Sequence, residues 1–446
     1  MLMLLVMTGA LLAGLRYYQV RLKPDPELVR KLFHLGGGLL GLSLPWLFDD
    51  LLPVLVLTAL VASGFVATRT IPALRNGIGQ VLLGVQRPSV GEFGFLASFC
   101  LLFWLARGDK LLYSIPIMMV ALADALAALV GHAYGKLPLH MSGDRKSVEG
   151  VVTFFLIAFF CVHVPVLLWG GTGRLESLLI AVNVSGMVML AEAAAWWGLD
   201  NLIIPLWGYM VLKSLLQAQS VSLASDLAFL LALGTFMFLW RSRATLGDDA
   251  ISGAVLWGYV VWTVGGWPWI IPPLLQFAVY ATATARTPLD SVRNLRFPVV
   301  LANVAGSIPW LLAYRETSDA AFYLPFATCF GANVALIALA RAKFAAPGLA
   351  LLPATKHGAT TGMIIVLPSM LAVYGVRAMS LIAIVAAFIA VSAAAAVFFR
   401  TQPRLTENPV GYDRWVRQAI IVALGSVLAF GIGGTLIRTL DSLMAQ

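Results

Sequence analysis

Long apolar runs separated by short polar loops restrict what this chain can fold into more than any other feature. Of its 446 residues, 60% are hydrophobic and only 11% are charged. A soluble globular protein carries about 25% charged residues. The composition therefore excludes a soluble enzyme, a disordered chain and a conventional nucleic-acid binder, and it predicts an all-α polytopic integral membrane protein.

A helix that crosses a bilayer needs about 20 apolar residues, or somewhat fewer when it is tilted or enclosed in a bundle. By this measure we expect about 14–16 transmembrane helices. We divide the chain into two membrane domains, residues 1–220 and residues 221–446, and interpret the first run as a retained span rather than a signal peptide. The candidate segments are residues 2–15, 34–48, 51–68, 90–106, 111–134, 150–170, 177–198, 202–218, 222–240, 250–264, 267–285, 298–314, 320–340, 359–375, 378–399 and 416–437.

The positions of lysine and arginine predict the orientation. Lys and Arg exceed Asp and Glu by 30 − 21 = 9. They follow the odd-numbered runs, as Arg30 and Lys31 follow the first and Arg69 follows the third. Loops rich in these residues stay on the cytoplasmic side. We therefore expect a protein integral to the cytoplasmic (inner) membrane, in contact with membrane lipids and not with nucleic acid, whose N-terminus lies outside.

Four groups of polar residues lie within or beside the apolar runs. An ionisable group in a membrane segment is costly, so each is a functional candidate by default. On the predicted topology all four groups face the cytoplasm. They are Arg30, Lys31 and His34; Asp124; Lys146, Ser147, Glu149 and Gly150; and Glu192, Asp200 and Asn201.

Each group also has a simpler structural interpretation. The basic residues of the first group suit ordinary anchoring at the cytoplasmic face, and the three glycines that follow suit close helix packing. Asp124 suits an ion pair with a neighbouring helix, while Ser147 and Asp200 suit helix caps. Taken one at a time, the groups leave these alternatives open.

Together, the four groups contain the parts needed for phosphoryl or nucleotidyl transfer. Carboxylate and amide oxygens suit a hard cation such as Mg²⁺. Arginine and lysine side chains beside a helix N-terminus suit a polyphosphate, and His34 suits the deprotonation of a hydroxyl. A site at the membrane face implies a lipid acceptor.

At these residues the chain resembles the CTP-dependent polyprenol kinase family, which includes phytol kinase and dolichol kinase. The resemblance implies transfer of the γ-phosphoryl group of CTP, with Mg²⁺, to the hydroxyl of an isoprenoid alcohol such as phytol, geranylgeraniol or a polyprenol. The matching stretches, in the family's order within residues 28–210, are RKLFHLGGG, GEFGFLASF, ADALAALVGHAYGK, KSVEG and EAAAWWGLDNLIIP.

From motif position and side-chain chemistry we expect three kinds of site residue in the first half. Catalytic roles are expected for Asp124, Lys146, Glu149 and His34. Nucleotide binding is expected for Arg30, Lys31, Lys146, Ser147, Gly150 and Asn201. Metal binding is expected for Asp124, Glu192 and Asp200.

The second half resembles a related membrane family that includes phytyl-phosphate kinase. Where that family has acidic residues, this chain has Asn333 and Ala338, so we expect this half to be catalytically degenerate. The two halves suggest a parallel internal repeat, in which Arg87 corresponds to Arg293. The matching stretches within residues 250–370 are ATATARTPLDSVRNLRFPVVLANVAG, FGANVALIALARAKF and LPATKHGATTG.

Two other functions fit parts of this pattern. Phosphatidate cytidylyltransferase chemistry would use the same CTP, metal and membrane face, although the acidic, Gly-His-rich C-terminal signature of that family is missing. A lipid or solute transporter would also combine many spans, an internal repeat and membrane-embedded carboxylates. The sequence does not identify the alcohol, decide between CTP and ATP, assign a role to the second half, or tell whether a prenyl-phosphate kinase or a second copy of the chain is a partner.

Overall fold

Regular structure is helical in the part of the chain that the computed structural model describes, namely residues 1–83, 91–139, 146–195, 198–240, 246–284, 295–346, 348–402 and 412–444. Within these ranges the only β-type pairings are isolated bridges, Pro138 with Ser147 and Leu246 with Leu295. The all-α expectation is confirmed. The proposed repeat markers Arg87 and Arg293 lie outside the described residues.

The chain divides into two compact units, residues 1–231 and residues 232–446, with the boundary inside α13 (Ser220–Trp240). Before α13 come α1 (Leu2–Leu22), α2 (Pro26–Leu42), α3 (Leu44–Leu47), α4 (Leu51–Thr70), α5 (Pro72–Asn76), α6 (Gln80–Leu83), α7 (Gly91–Ala106), α8 (Lys110–Met118), α9 (Asp124–Tyr134), α10 (Val148–Trp169), α11 (Arg174–Ala194) and α12 (Asp200–Leu215). After it come α14 (Asp248–Gly265), α15 (Trp267–Thr284), α16 (Phe297–Ala305), α17 (Ile308–Thr317), α18 (Tyr323–Ala345), α19 (Leu351–Tyr374), α20 (Ala378–Thr401), α21 (Tyr412–Ala429) and α22 (Thr435–Met444).

Among the described residues, ten helical segments are long and apolar enough to cross a membrane, or eleven if the bent pair α16–α17 counts as one span. The multi-pass membrane architecture is therefore confirmed, with fewer such segments than the apolar runs suggest. The count differs because some runs form short or interrupted helices. The helix α7 has only 16 residues, and α16 and α17 are bent by 53°.

Helix α2 carries the first polar group into the interior of the N-terminal unit. It begins where the Asp25 carboxylate accepts a hydrogen bond from the Glu27 amide at 2.7 Å, with Pro26 in the first turn, where its missing N–H costs nothing. A Cβ atom on Gly38 would overlap the side chain of Ala121. The glycine therefore allows α2 to approach the segment that holds Asp124.

A π-helical turn, Met119–Ala123, joins α8 to α9 and ends immediately before Asp124. Such turns interrupt the regular hydrogen-bond ladder and occur often at functional sites. Beyond it, α9 packs closely on α10, because a Cβ on Gly150 would lie 3.1 Å from the Ala127 carbonyl oxygen and 3.4 Å from the Gly131 Cα. This contact holds the start of α10 beside α9.

The C-terminal unit has an interior built around α18, whose residues from Tyr323 to Ala340 are almost all buried. It contains a network of hydrogen-bonded side-chain amides. Gln276 donates to the Asn303 side chain at 3.1 Å, Asn333 donates to the Asn303 backbone carbonyl at 2.7 Å, and Gln418 donates to the Asn333 side chain at 3.0 Å. Asn333, which replaces an acidic residue of the family that this half resembles, is thus hydrogen-bonded within the interior of this unit.

Candidate active site

A cavity of about 780 Å³ lies inside the N-terminal unit. Residues of α1, α2, α3, α4, α6, α7, α9, α10, α11 and α12 line it. Every residue predicted for the site contributes to this lining, with the exception of Glu149. The fold therefore brings four groups that are far apart in the sequence to one cavity.

Three helices run along the cavity, and their contacts show how they are aligned. The His34 ring of α2 stacks on Phe95 of α7 with centroids 4.1 Å apart, and further along both helices a Cβ on Gly41 would overlap the ring of Phe99. Helix α7 also meets α4 at two points, where Thr58 and Cys100 are 3.0 Å apart and Arg69 and Glu92 are 2.8 Å apart. Helices α2 and α7 therefore run in the same sense, and α4 runs against them.

This alignment gives the cavity two chemically different ends. The charged end is lined by Glu27, Arg30, Lys31, Arg69, Glu92, Asp124, Lys146, Glu192 and Asp200. The apolar end is lined by Leu40, Gly41, Leu44, Leu57, Val61 and Phe99. The lining from Glu27 to Gly41 on α2 covers 14 residue steps, which is about 21 Å at 1.5 Å per residue.

A buried ion pair occupies the centre of the charged end. Lys31 Nζ donates to Asp124 Oδ2 at 2.7 Å, and the two side chains are only 5% and 8% exposed. The structural interpretation of Asp124 as one half of an ion pair is thus realised, and its partner is itself a predicted site residue. His34 Nε2 lies 3.7 Å from the same carboxylate oxygen.

The contacts of His34 determine which ring nitrogen is available. Its Nε2 lies 3.0 Å from the carbonyl oxygen of Val120, in the π-helical turn. A carbonyl oxygen only accepts hydrogen bonds, so Nε2 carries the proton and donates. If His34 accepts a proton from a substrate, it must do so through Nδ1.

A second ion pair joins the start of α10 to the end of α11. Lys146 Nζ donates to Glu192 twice, to Oε1 at 2.6 Å and to the backbone carbonyl at 2.6 Å. Burial alone would lower the pKa of Lys146, but the Glu192 and Asp200 carboxylates outweigh it and hold that pKa above its ordinary value. Lys146 is therefore a firmly protonated cation inside the cavity.

The start of α12 adds a carboxylate and an amide. The Asp200 carboxylate accepts a hydrogen bond from the backbone N–H of Asn201 at 3.0 Å. Burial, and then the negative charge of Asp124, raise the pKa of Asp200 to about 6. The Asn201 side-chain oxygen is buried without a hydrogen-bond partner among the described residues, so the charged end has acceptor capacity that a ligand can use.

Ser147 caps α10, as the simpler interpretation of this residue proposed. Its hydroxyl oxygen accepts from the Gly150 amide at 3.2 Å. Both residues also line the cavity, so the N-terminus of this 22-residue helix opens onto it. Glu149 lies elsewhere, where its carboxylate accepts from the Lys136 amide at 3.0 Å and orders the segment before α10.

The donor set at the charged end has the oxygen chemistry that Mg²⁺ prefers, and the unpartnered Asn201 oxygen adds to it. The side chains are nevertheless turned towards lysines, because Asp124 faces Lys31 and Glu192 faces Lys146. No three carboxylate, imidazole or thiol groups converge on one point in the described part of the chain. In this arrangement the described residues therefore do not form an assembled metal site.

Two ion pairs at the charged end were not predicted. Glu27 pairs with Arg30, with a shortest distance of 2.6 Å, and Arg69 pairs with Glu92 at 2.8 Å. The sequence does mark Glu92, because this glutamate lies in the matching stretch GEFGFLASF, where an apolar run begins. Arg69 was interpreted only as a marker of membrane orientation.

Comparison with known proteins places part of the chain in a family. Over 198 residues, 43% of this chain and 81% of the relative, the chain is 32% identical to a phytol kinase from Synechocystis sp.. Over 216 residues it is 31% identical to the dolichol kinase EVAN of Arabidopsis thaliana, covering 44% of this chain but only 37% of that larger protein.

No family model matches the chain, and no solved structure matches it. The phytol kinase is nevertheless matched over most of its own length. The chain thus belongs, through the part of it that matches, to the polyprenol kinase family.

Proposed function

We propose that the N-terminal unit transfers the γ-phosphoryl group of CTP to the hydroxyl of an isoprenoid alcohol such as phytol, geranylgeraniol or a polyprenol. The alcohol oxygen forms a new bond to the γ-phosphorus. The bond between that phosphorus and the bridging oxygen breaks, and CDP leaves. The hydroxyl proton passes to a base of the site.

One observation carries the proposal: a single cavity has a charged end for phosphates and an apolar end for a hydrocarbon. Its lining on α2 alone extends for about 21 Å. An isoprenoid alcohol has the same division, with one polar hydroxyl on a long apolar tail. The tail would lie against Leu40, Leu57 and Phe99, and the hydroxyl would reach the charged end.

The basic residues of the charged end would hold the nucleotide phosphates. Lys31, Lys146 and Arg30 supply three cations on the cavity wall, and the start of α10 adds backbone N–H groups and a positive helix dipole. In the arrangement described here Lys31 and Lys146 pair with carboxylates. Binding of a polyphosphate would therefore require these lysines to exchange one anionic partner for another.

Two groups are candidates to accept the hydroxyl proton. Asp200 is the first, because a carboxylate whose pKa is about 6 is a better base than an ordinary one near neutral pH. His34 is the second, through Nδ1. Asp124 is a weaker candidate because its carboxylate already accepts from Lys31.

A magnesium ion bound with the nucleotide would neutralise phosphate charge, with Asp124, Glu192 and Asp200 as its oxygen ligands. The charged end would face the cytoplasm, where CTP is available, and the protein would reside in the inner membrane.

The experiment is a substrate panel with the purified full chain in lipid nanodiscs. CTP, UTP, ATP and GTP are each offered with Mg²⁺ and with phytol, geranylgeraniol or undecaprenol. We expect a monophosphorylated alcohol and a nucleoside diphosphate in equal amounts, and a reaction slower by about a hundredfold or more in Asp124→Ala.

Absence of a phosphorylated alcohol with every pair would refute the proposal, and so would full activity of Asp124→Ala. Release of pyrophosphate in place of CDP, with phosphatidic acid as acceptor, would instead indicate a cytidylyltransferase. Movement of lipid across sealed vesicles without nucleotide would indicate a transporter.

A further inference from the structure

The Arg69–Glu92 ion pair at the charged end has no part in the phosphoryl transfer proposed above. Arg69, in the last turn of α4, donates from Nη2 to Glu92 Oε2, in the first turn of α7, at 2.8 Å. Both residues line the cavity, and their side chains are 35% and 20% exposed. A ligand in the cavity can therefore reach both groups.

An aromatic cluster lies beside this ion pair. The Arg69 guanidinium lies over the ring of Phe93, 5.1 Å from its centroid, and this contact restricts its orientation. Phe93 packs edge-to-face on Phe65, which packs in the same way on Phe33. Phe65 and Phe33 are mostly buried, with 6% and 8% of each residue exposed, and the edges that reach the cavity line it. A flat ring at the ion pair would therefore meet an apolar wall.

The ion pair presents a fixed order of hydrogen-bonding groups. A carboxylate only accepts hydrogen bonds, and a guanidinium only donates them, through five N–H groups. Cytosine presents an amino donor followed by the N3 and O2 acceptors, which matches Glu92 followed by Arg69. Carboxylates accept from the cytosine amino group in nucleic-acid recognition.

The other bases fit this order less well. Uracil presents an oxygen where cytosine has its amino group, so it would set two acceptors against each other at Glu92. Guanine likewise has an oxygen at that place. Adenine keeps the amino donor and one acceptor but lacks a counterpart of O2, so it would lose one bond to Arg69.

We propose that Arg69 and Glu92 recognise the base of the nucleotide and select cytosine, and that the cavity-facing edges of Phe33 and Phe65 form the apolar wall beside the base. The inference rests on the proposed function in one respect, namely that a nucleoside triphosphate enters this cavity. It adds a specificity element that is separate from the phosphate-binding residues and from the proton acceptor.

The test measures base preference by binding as well as by turnover. Displacement of a fluorescent CTP analogue by CTP, UTP, ATP and GTP gives four affinities for the full chain in nanodiscs, and the alcohol assay gives kcat/KM for each. Glu92→Gln is compared with Glu27→Gln, a matched change in another ion pair of the same cavity. Arg69→Lys retains the positive charge but loses the planar fork.

The wild-type chain should prefer CTP. Glu92→Gln should reduce the CTP-to-UTP ratio of affinities by about tenfold, the scale of one well-placed base contact, because glutamine can also donate to the uracil oxygen. The effect should appear in KM rather than kcat. Arg69→Lys should reduce the CTP-to-ATP ratio, and Glu27→Gln should leave both ratios unchanged.

Two results would overturn the inference without touching the proposed function. One is that the wild-type chain binds all four nucleotides with equal affinity. The other is that Glu92→Gln and Arg69→Lys each weaken the binding of all four nucleotides by the same factor. If Glu92→Gln does not fold, the CTP-to-ATP affinity ratio of Arg69→Lys tests the inference. A chain that phosphorylates no alcohol but still binds CTP preferentially would refute the proposed kinase and retain this inference.

Discussion

Removal of one partner from the buried Lys31–Asp124 ion pair should strongly destabilise the N-terminal unit. Nζ and Oδ2 are 2.7 Å apart, and less than a tenth of either side chain is exposed. At an effective dielectric constant of about 20, two unit charges at this distance attract by about 6 kcal/mol. Part of that attraction offsets lost hydration, and breaking a buried pair costs about 3–5 kcal/mol. We expect Lys31→Met to lower the free energy of unfolding by that amount.

The double variant Lys31→Met/Asp124→Leu separates the charge effect from packing. With both charges gone no ion remains buried without a partner, so stability should return to within about 1–2 kcal/mol of the wild-type chain. Unfolding is followed by tryptophan fluorescence in detergent micelles as SDS increases. Lys136→Met, a change at an exposed lysine, should stay within about 0.5 kcal/mol of the wild type.

The reasoning is refuted if the double variant is as unstable as Lys31→Met, because the cost would then arise from lost volume and not from an uncompensated charge. Equal effects of Lys31→Met and Lys136→Met would refute it too. The double variant should be inactive despite its stability, since it lacks two residues of the charged end.

Three further predictions concern the charge balance, the helix packing and the apolar end. The raised pKa of Asp200, about 6 in the folded chain, means that the folded protein binds this proton more tightly than the unfolded chain. Its contribution to stability therefore declines as the pH rises from about 4 to about 6. At pH 7, Asp200→Asn should be about 1–3 kcal/mol more stable than the wild type in SDS unfolding. At pH 4 this difference should disappear. Gly38→Val should destabilise the unit by about 1–3 kcal/mol, because its side chain would overlap Ala121, and Ala121→Gly in the same chain should restore part of the loss. Phe99→Ala enlarges the apolar end, so it should lower the KM for longer alcohols relative to phytol in the phosphorylation assay.

Each of these has its own control. A constant stability difference for Asp200→Asn across the pH range would contradict the assigned pKa. Gly9→Val, at a glycine of α1 with open space around it, should cost less than Gly38→Val. Unchanged chain-length preference in Phe99→Ala would mean that the tail lies elsewhere.

Much of the site could be predicted without coordinates, because polar groups are so rare in this chain. A carboxylate such as Asp124 stands out in a run of alanine and leucine, where burial is costly unless a partner compensates it. The same reasoning found Lys146, Glu192 and Asp200. Their common location follows from the resemblance and from the charge pattern, and the cavity agrees with it.

Pairings could not be predicted, because they depend on which helix faces meet. Nothing local to Lys31 indicates that its partner lies 93 residues away on α9. Arg69 was interpreted as an orientation marker, since a basic residue after an apolar run usually has that role. Its contact with Glu92 exists only because α4 runs against α7.

The sequence by itself determined the helical, membrane-embedded architecture, since a continuous apolar run of about 20 residues crosses a bilayer as a helix that satisfies its own backbone hydrogen bonds. It also determined the chemical groups of the site. Only the tertiary structure decided that Asp124 and Glu192 face lysines and that Glu149 orders a neighbouring segment. Hydrophobic patterning specifies how each helix is buried, whereas the distances between charged groups depend on helix alignment and close packing at positions such as Gly38.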